Sequence, residues 1–195
     1  MTGAPRDADP GAARQDGAAN AAPGPTYVSV IGASHCGPGL AAKAEELGRL
    51  LARRGCVVVC GGRSGVMEAV ARGVAAEGGV SIGLLPEADR SRAAPDLTYA
   101  LPTAIGWARN LAVVASGDAV IAVGGAWGTL SEIALARNVD RRVVLLDSWE
   151  VRPPHGAGDA AGGSGEDESE PEVELDGVVR ASSPAEAVEL ALAGL

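Results

Sequence analysis

Apolar residues along this chain fall into short unbroken blocks set between glycine-rich corners, alternating with longer stretches in which they recur every three or four positions. Blocks of four to six apolar residues bounded by turn residues read as strands buried on both faces, and the longer period reads as amphipathic helix. YVSVIG, Tyr27 to Gly32, is the first strand. Leu40, Ala44, Leu47 and Leu51 then share one helical stripe, Lys43, Glu45, Glu46, Arg49 and Arg53 lie mostly off it, and Gly55 falls where a helix C-cap is expected.

The unit repeats at once. CVVVC, Cys56 to Cys60, is a strand, GGRSG is its corner, and Val66, Met67, Val70 and Val74 mark a helix ended by Gly78 and Gly79. VSIGLLP is the third strand, residues 97–101 are a short fourth, and a helix from Ile105 carries Trp107, Arg109, Asn110, Leu111 and Val114 toward Gly117. AVIAV, Ala119 to Val123, is followed by a glycine corner and a helix opened by Thr129; RRVVLLD, a strand at 178–180 and a helix from Pro184 to Leu192 complete the pattern. Strands alternating with helices at this spacing predict an α/β fold with a doubly wound, mainly parallel sheet and helices on both faces. Ligands of such sheets bind beyond the carboxyl ends of the strands, the edge on which the glycine corners gather.

Two stretches stand outside this pattern. Residues 1–26 are dominated by Ala, Gly and Pro, cannot offset their ordering entropy, and are expected to be a disordered tail. Residues 152–172 join Gly, Pro and Ser to acids and predict a disordered acidic insertion within a single domain spanning 27–195. The net charge of −9 is mostly local: eight acids and no Lys or Arg lie between Asp159 and Asp176, leaving the remainder near balance. No nucleic-acid surface is indicated. Three cysteines without CxxC spacing give neither a disulfide framework nor a metal site, and point to a reducing cytoplasm. The first 26 residues lack the apolar core of a signal peptide, and no run approaches the ~20 apolar residues of a membrane span, so no membrane partner is expected.

The chemistry concentrates in Gly124-Gly125-Ala126-Trp127-Gly128-Thr129. Side-chain-free backbone at a helix N-terminus offers amide donors in a positive field, which suits a phosphate. The related corner Gly61-Gly62-Arg63-Ser64-Gly65 strengthens the expectation, with Gly61, Gly62, Arg63 and Gly65 as further phosphate or nucleotide contacts. There is no GK[ST], and the glycines after the first strand are not GxGxxG, which argues against a P-loop and a dinucleotide cofactor. Glu132 has two readings. With Thr129 three places before it, it forms a capping box; as a carboxylate one turn beyond a bound 5′-phosphate, it stabilises charge at an anomeric carbon or activates water. Arg109 reads as a site residue because its helix feeds into the phosphate strand.

GGRSGVMEAV (61–70), ARN (108–110) and GGAWGTLSE (124–132) resemble the LOG, or Lonely guy, family of Rossmann-like nucleotide-binding proteins, nearest to the bacterial branch similar to molybdenum cofactor carriers. The resemblance covers residues 27–147 and implies a Rossmann-like fold, a homodimer, and hydrolysis of a purine nucleoside 5′-monophosphate to free base and ribose 5-phosphate; no cofactor is expected from the motifs. The family's phosphate motif and its carboxylate carry over to Gly124, Gly125, Gly128, Thr129 and Glu132, and its arginine to Arg109. Arg109-Asn110 in place of Arg-Lys, Val123 in place of Pro, and Glu68 in place of Gly favour the carrier-like branch, whose implied function is non-catalytic carriage of molybdenum cofactor or another phosphorylated pterin or nucleotide. Lysine decarboxylase, a label often given to the family, is rejected. Its pyridoxal phosphate needs a lysine, and Lys43, the only one, sits in the first helix with no corner to bring it to the site.

Overall fold

A computed structural model describes residues 24–151 and 176–195. All but the last three residues of the expected tail, and the whole of the expected insertion, lie outside that range. The elements are β1 (Tyr27–Gly32), α1 (Pro38–Arg53), β2 (Val57–Cys60), α2 (Val66–Ala76), β3 (Val80–Leu85), β4 (Tyr99–Pro102), a 3-10 turn (Gly106–Ala108), α3 (Arg109–Ser116), β5 (Ala119–Val123), α4 (Trp127–Asn138), β6 (Arg142–Leu146), β7 (Val178–Ala181) and α5 (Pro184–Leu192).

Seven strands form one sheet in the order β4-β3-β2-β1-β5-β6-β7, and every pairing is parallel. The chain builds outward from β1 to β4, returns to lay β5 on the other flank of β1, and builds outward again. That reversal opens a crevice at the carboxyl ends of β1 and β5, the place where parallel sheets bind ligands. β5 is wholly buried, as its unbroken apolar run requires.

Two apolar layers cover the sheet. Leu47 and Leu51 of α1, Val66, Val70 and Val74 of α2 and Val188 of α5 pack on one face. Val113 and Val114 of α3 and Ile133 and Ala136 of α4 pack on the other, so the doubly wound arrangement holds. α1 and α2 touch backbone to backbone: a Cβ on Gly48 would fall 2.3 Å from the Val70 carbonyl, and one on Gly73 would fall 2.0 Å from that of Glu45.

The fourth strand, expected at 97–101, is Tyr99–Pro102, and two boundaries near the site differ from the periodicity as well. The helix expected from Ile105 is a 3-10 turn followed by α3, because Ala104 and Gly106 take φ of 58° and 56° and their N–H groups donate to Glu87 O and Pro86 O. α4 begins at Trp127 with Ala126 as N-cap, so Thr129 lies inside its first turn and no Thr129–Glu132 capping box forms. α5 has the side-chain cap that α4 lacks: Ser183 Oγ accepts from Glu186 N, and the Glu186 carboxylate accepts from the N–H of Ser182, just before the N-cap.

Candidate functional site

The uncapped start of α4 is the centre of the site. Gly124 and Gly125, at φ of 57° and 132°, reverse the chain in two residues as it leaves β5. Gly124 N–H is not bare as the sequence suggests; it donates to Leu146 O at 3.0 Å and prolongs the β5–β6 ladder. Beyond it, no side chain caps α4, and the N–H groups of Trp127, Gly128 and Thr129 precede the first residue that can find an intrahelical carbonyl.

The loop after β6 holds this corner from behind. Ser148 Oγ donates to Gly124 O at 2.5 Å, and Trp149 Nε1 donates to Ala126 O at 3.2 Å. Across a trans peptide the carbonyl and the following N–H point in opposite directions. Fixing those two carbonyls toward Ser148 and Trp149 therefore turns Gly125 N–H and Trp127 N–H away from that loop, at the same helix start as the amides of Gly128 and Thr129. The result is a set of oriented donors at the positive end of a helix, a ready anion site.

Two cavities flank the corner. One, of about 270 Å³, is lined by Gly124, Gly125, Asp147, Ser148 and Trp149, the loop that holds the carbonyls. The other, of about 290 Å³, is lined by Arg63, Pro86, Glu87, Trp107, Arg109 and Asn110 together with Gly106. A Cβ on Gly128 would meet only the Trp107 ring, at 3.7 Å, so corner and second cavity adjoin across that indole. Trp127 and Trp149 stack obliquely with centroids 5.3 Å apart. All three tryptophans of the chain thus lie on this edge, in a protein with 3 % aromatic residues. That scarcity was a signal in the sequence for Trp107 and Trp149; Glu87, Ser148 and Asp147 carried none.

Arg109 and Glu132 meet in the interior, 7 % and 8 % exposed, with Nη1 and Oε1 3.9 Å apart. The guanidinium occupies the space left by Gly61, where a Cβ would fall 2.5 Å from Nη1, and its Nε has no hydrogen-bond partner. Burial raises the Glu132 carboxyl to about 7 against the opposing pull of Arg109, and burial likewise lowers Arg109. Desolvation outweighs attraction for both partners, as expected of an enclosed pair too far apart to hydrogen bond.

The raised carboxyl has a consequence for stability. The folded state holds the proton between the unfolded value of 4.5 and about 7 while the unfolded state releases it, so the contribution of this group to stability is full below pH 4.5 and falls as pH rises through that window. Glu132→Gln removes this loss. Denaturation between pH 4 and 8 is expected to show the wild type losing on the order of 3 kcal/mol relative to the variant.

The second glycine corner is closely packed. A Cβ on Gly62 would strike Gly83 Cα at 2.8 Å, and one on Gly65 would strike Ala33 O at 2.4 Å. Arg63 joins Arg109 in the second cavity, with Nη1 3.5 Å from Glu87 Oε1. Lys43, expected to lie away from the site, reaches its rim: Nζ forms an ion pair with Asp147, which lines the first cavity. The long α1 side chain spans to the end of β6, a contact that helical position alone does not reveal. Cys60 is fully buried in the core, its thiol pushed up to about 11 by burial. Among the described residues no cluster of three His, Cys, Asp or Glu could hold a metal ion, and no helix is long and apolar enough to cross a membrane.

A wholly parallel, doubly wound sheet with a glycine corner and an uncapped helix start at its topological switch defines the class as Rossmann-like α/β. Within it, the chain belongs to the SLOG cluster4 family, whose model matches residues 25–186. It is 42% identical over 120 residues to an uncharacterized protein of Archaeoglobus fulgidus, covering 61% of this chain and 78% of that one. Among solved structures it is similar to the molybdenum cofactor binding protein of the phototrophic bacterium Rippkaea orientalis, at 31% identity and a TM-score of 0.69 over 85% of this chain and 94% of that chain. It is also similar to the molybdenum cofactor carrier protein of Chlamydomonas reinhardtii, at 28% identity and a TM-score of 0.66 over 84% and 94%. The resemblance to LOG-type proteins of the carrier-like branch is borne out.

Proposed function

We propose that this protein binds a phosphorylated heterocycle, with the phosphate on the amides of Gly125, Trp127, Gly128 and Thr129, and holds it as cargo without cleaving it. The carrying observation is the start of α4, left without a side-chain cap and with its carbonyls fixed by Ser148 and Trp149. The cargo class is molybdenum cofactor or a related phosphorylated pterin or nucleotide, in keeping with the carriers it is similar to. Carriage is favoured over hydrolysis by the burial of Glu132, which is 8 % exposed and faces Arg109 in the interior at 3.9 Å.

A second reading has its own support. A carboxyl poised at about 7 is suited to proton transfer near neutral pH, and Glu132 with Arg109 would then cleave an N-glycosidic bond, Glu132 stabilising the oxocarbenium-like transition state and Arg109 orienting the sugar. The test is incubation of the protein with AMP, an N6-substituted AMP and GMP, followed by chromatography for free base. Binding with no base released is the outcome expected of a carrier. Release of base by the wild type, abolished in Glu132→Gln with binding kept, would establish the hydrolase instead.

A further inference from the structure

Phosphate capture does not account for the 290 Å³ cavity beside the corner. Its wall carries a carboxylate in want of donors. Glu87 Oε1 faces Arg63 at 3.5 Å and Arg92 at 3.9 Å, while Oε2 is enclosed and has no hydrogen-bond partner. An acceptor without a donor carries a desolvation cost, so the Glu87 carboxylate is left short of donors beside the cavity it lines.

The same wall includes a strained turn that carries the Trp107 indole. Ala104 sits at φ 58°, a left-handed conformation that an alanine avoids. It is kept there by bonds from Thr103 N and Oγ1 to Leu85 O, from Ala104 N to Glu87 O and from Gly106 N to Pro86 O. These bonds tie the turn to the exit of β3, and so place Trp107, 81 % exposed, and Glu87 on one cavity. A solvent-facing indole fixed next to a donor-seeking carboxylate suits a flat ring whose edge bears N–H groups.

We infer that this cavity is the subsite for the ligand's heterocycle, and that Glu87 selects a 2-amino-4-oxo ring, the edge shared by guanine and the pterins, over adenine. The inference rests on the phosphate-anchored reading above. In a 2-amino-4-oxo ring a ring N–H and an exocyclic amino group stand side by side, two donors turned toward a group that only accepts. Adenine sets its amino group beside a ring nitrogen that itself accepts, so its edge turns a lone pair toward the carboxylate. Trp107 supplies the stacking face, and the corner adjoins across that same ring.

Calorimetric titration of the full chain with GMP, AMP, a phosphorylated pterin and ribose 5-phosphate tests this. GMP or the phosphorylated pterin is expected to bind at least about 10-fold tighter than AMP; whichever of the two is tighter names the source of the ring. Glu87→Gln is expected to bring GMP and the pterin down to the level of AMP while ribose 5-phosphate binding stays unchanged. Trp107→Ala is expected to weaken all three ring-bearing ligands by about 10-fold. AMP binding as tightly as GMP and the pterin would overturn the inference, and so would a Glu87→Gln effect equal for all four ligands. Ribose 5-phosphate has no ring, so failure to bind it counts against the phosphate corner alone, while the ratio of GMP or pterin to AMP reads the subsite.

Discussion

Gly125→Ala is expected to weaken binding of a 5′-phosphorylated ligand by about 100-fold or more. At φ 132° an alanine is strained wherever it sits, and its methyl would fall 2.6 Å from Thr129 Cβ and 2.8 Å from Thr129 Oγ1 in the first turn of α4. Backbone strain of ~1–3 kcal/mol and overpacking of ~1–3 kcal/mol cannot both be absorbed in place. The corner must shift, and the amides it aims shift with it; ~3 kcal/mol of lost alignment corresponds to about two decades in affinity. Gly128→Ala is the informative companion. Its methyl meets nothing nearer than the Trp107 ring at 3.7 Å, and alanine is favoured over glycine in a helix by up to ~1 kcal/mol. Its melting temperature should therefore hold or rise while ligand affinity falls, because the methyl stands where a phosphate oxygen would approach. Calorimetric titration alongside thermal denaturation separates the two effects.

The second large effect lies away from the site. Gly73→Ala is expected to destabilise the fold by at least ~3 kcal/mol, lowering the melting temperature by roughly 6–12 °C. In most helices this change stabilises, since alanine is the better helix former. Here the added Cβ would fall 2.0 Å from Glu45 O and 3.1 Å from Arg49 N, both backbone atoms of α1. No rotamer change moves a backbone, so α1 and α2 must separate, and Leu47, Leu51, Val70 and Val74 lose packing along with them. Differential scanning calorimetry reads the outcome. A variant as stable as the wild type would show that the two helices are not in backbone contact.

These cases also show why some of the protein was legible in its sequence and some was not. β5 is Ala119–Val123 and α5 is Pro184–Leu192, as expected, because an unbroken apolar run and a clean period with Pro at its start are local signals. The start of α4 was misread because Thr129 and Glu132 have the spacing of a capping box, while the real boundary is set by φ values at Gly124 and Gly125 that no hydrophobic pattern records. Glycines were visible as a class, but their roles were not. Gly61 makes room for a guanidinium, Gly73 for another helix, and Gly125 for a reversal, and only the fold tells these apart. Glu87 lay in a polar loop with no periodicity; its place follows from β4 pairing with β3, which lays residues 103–106 across the end of that strand. Lys43 meets Asp147 across 104 positions, and long-range pairs of that kind leave no trace in spacing.

The most direct test of the account follows the amide resonances of 15N-labelled full-length protein during titration with ribose 5-phosphate. Gly125, Trp127, Gly128 and Thr129 are expected to move downfield together and saturate with one dissociation constant, while Gly124, already bonded to Leu146 O, stays close to its starting position. Saturable binding that leaves those four amides unmoved, with shifts confined to another surface, would contradict it.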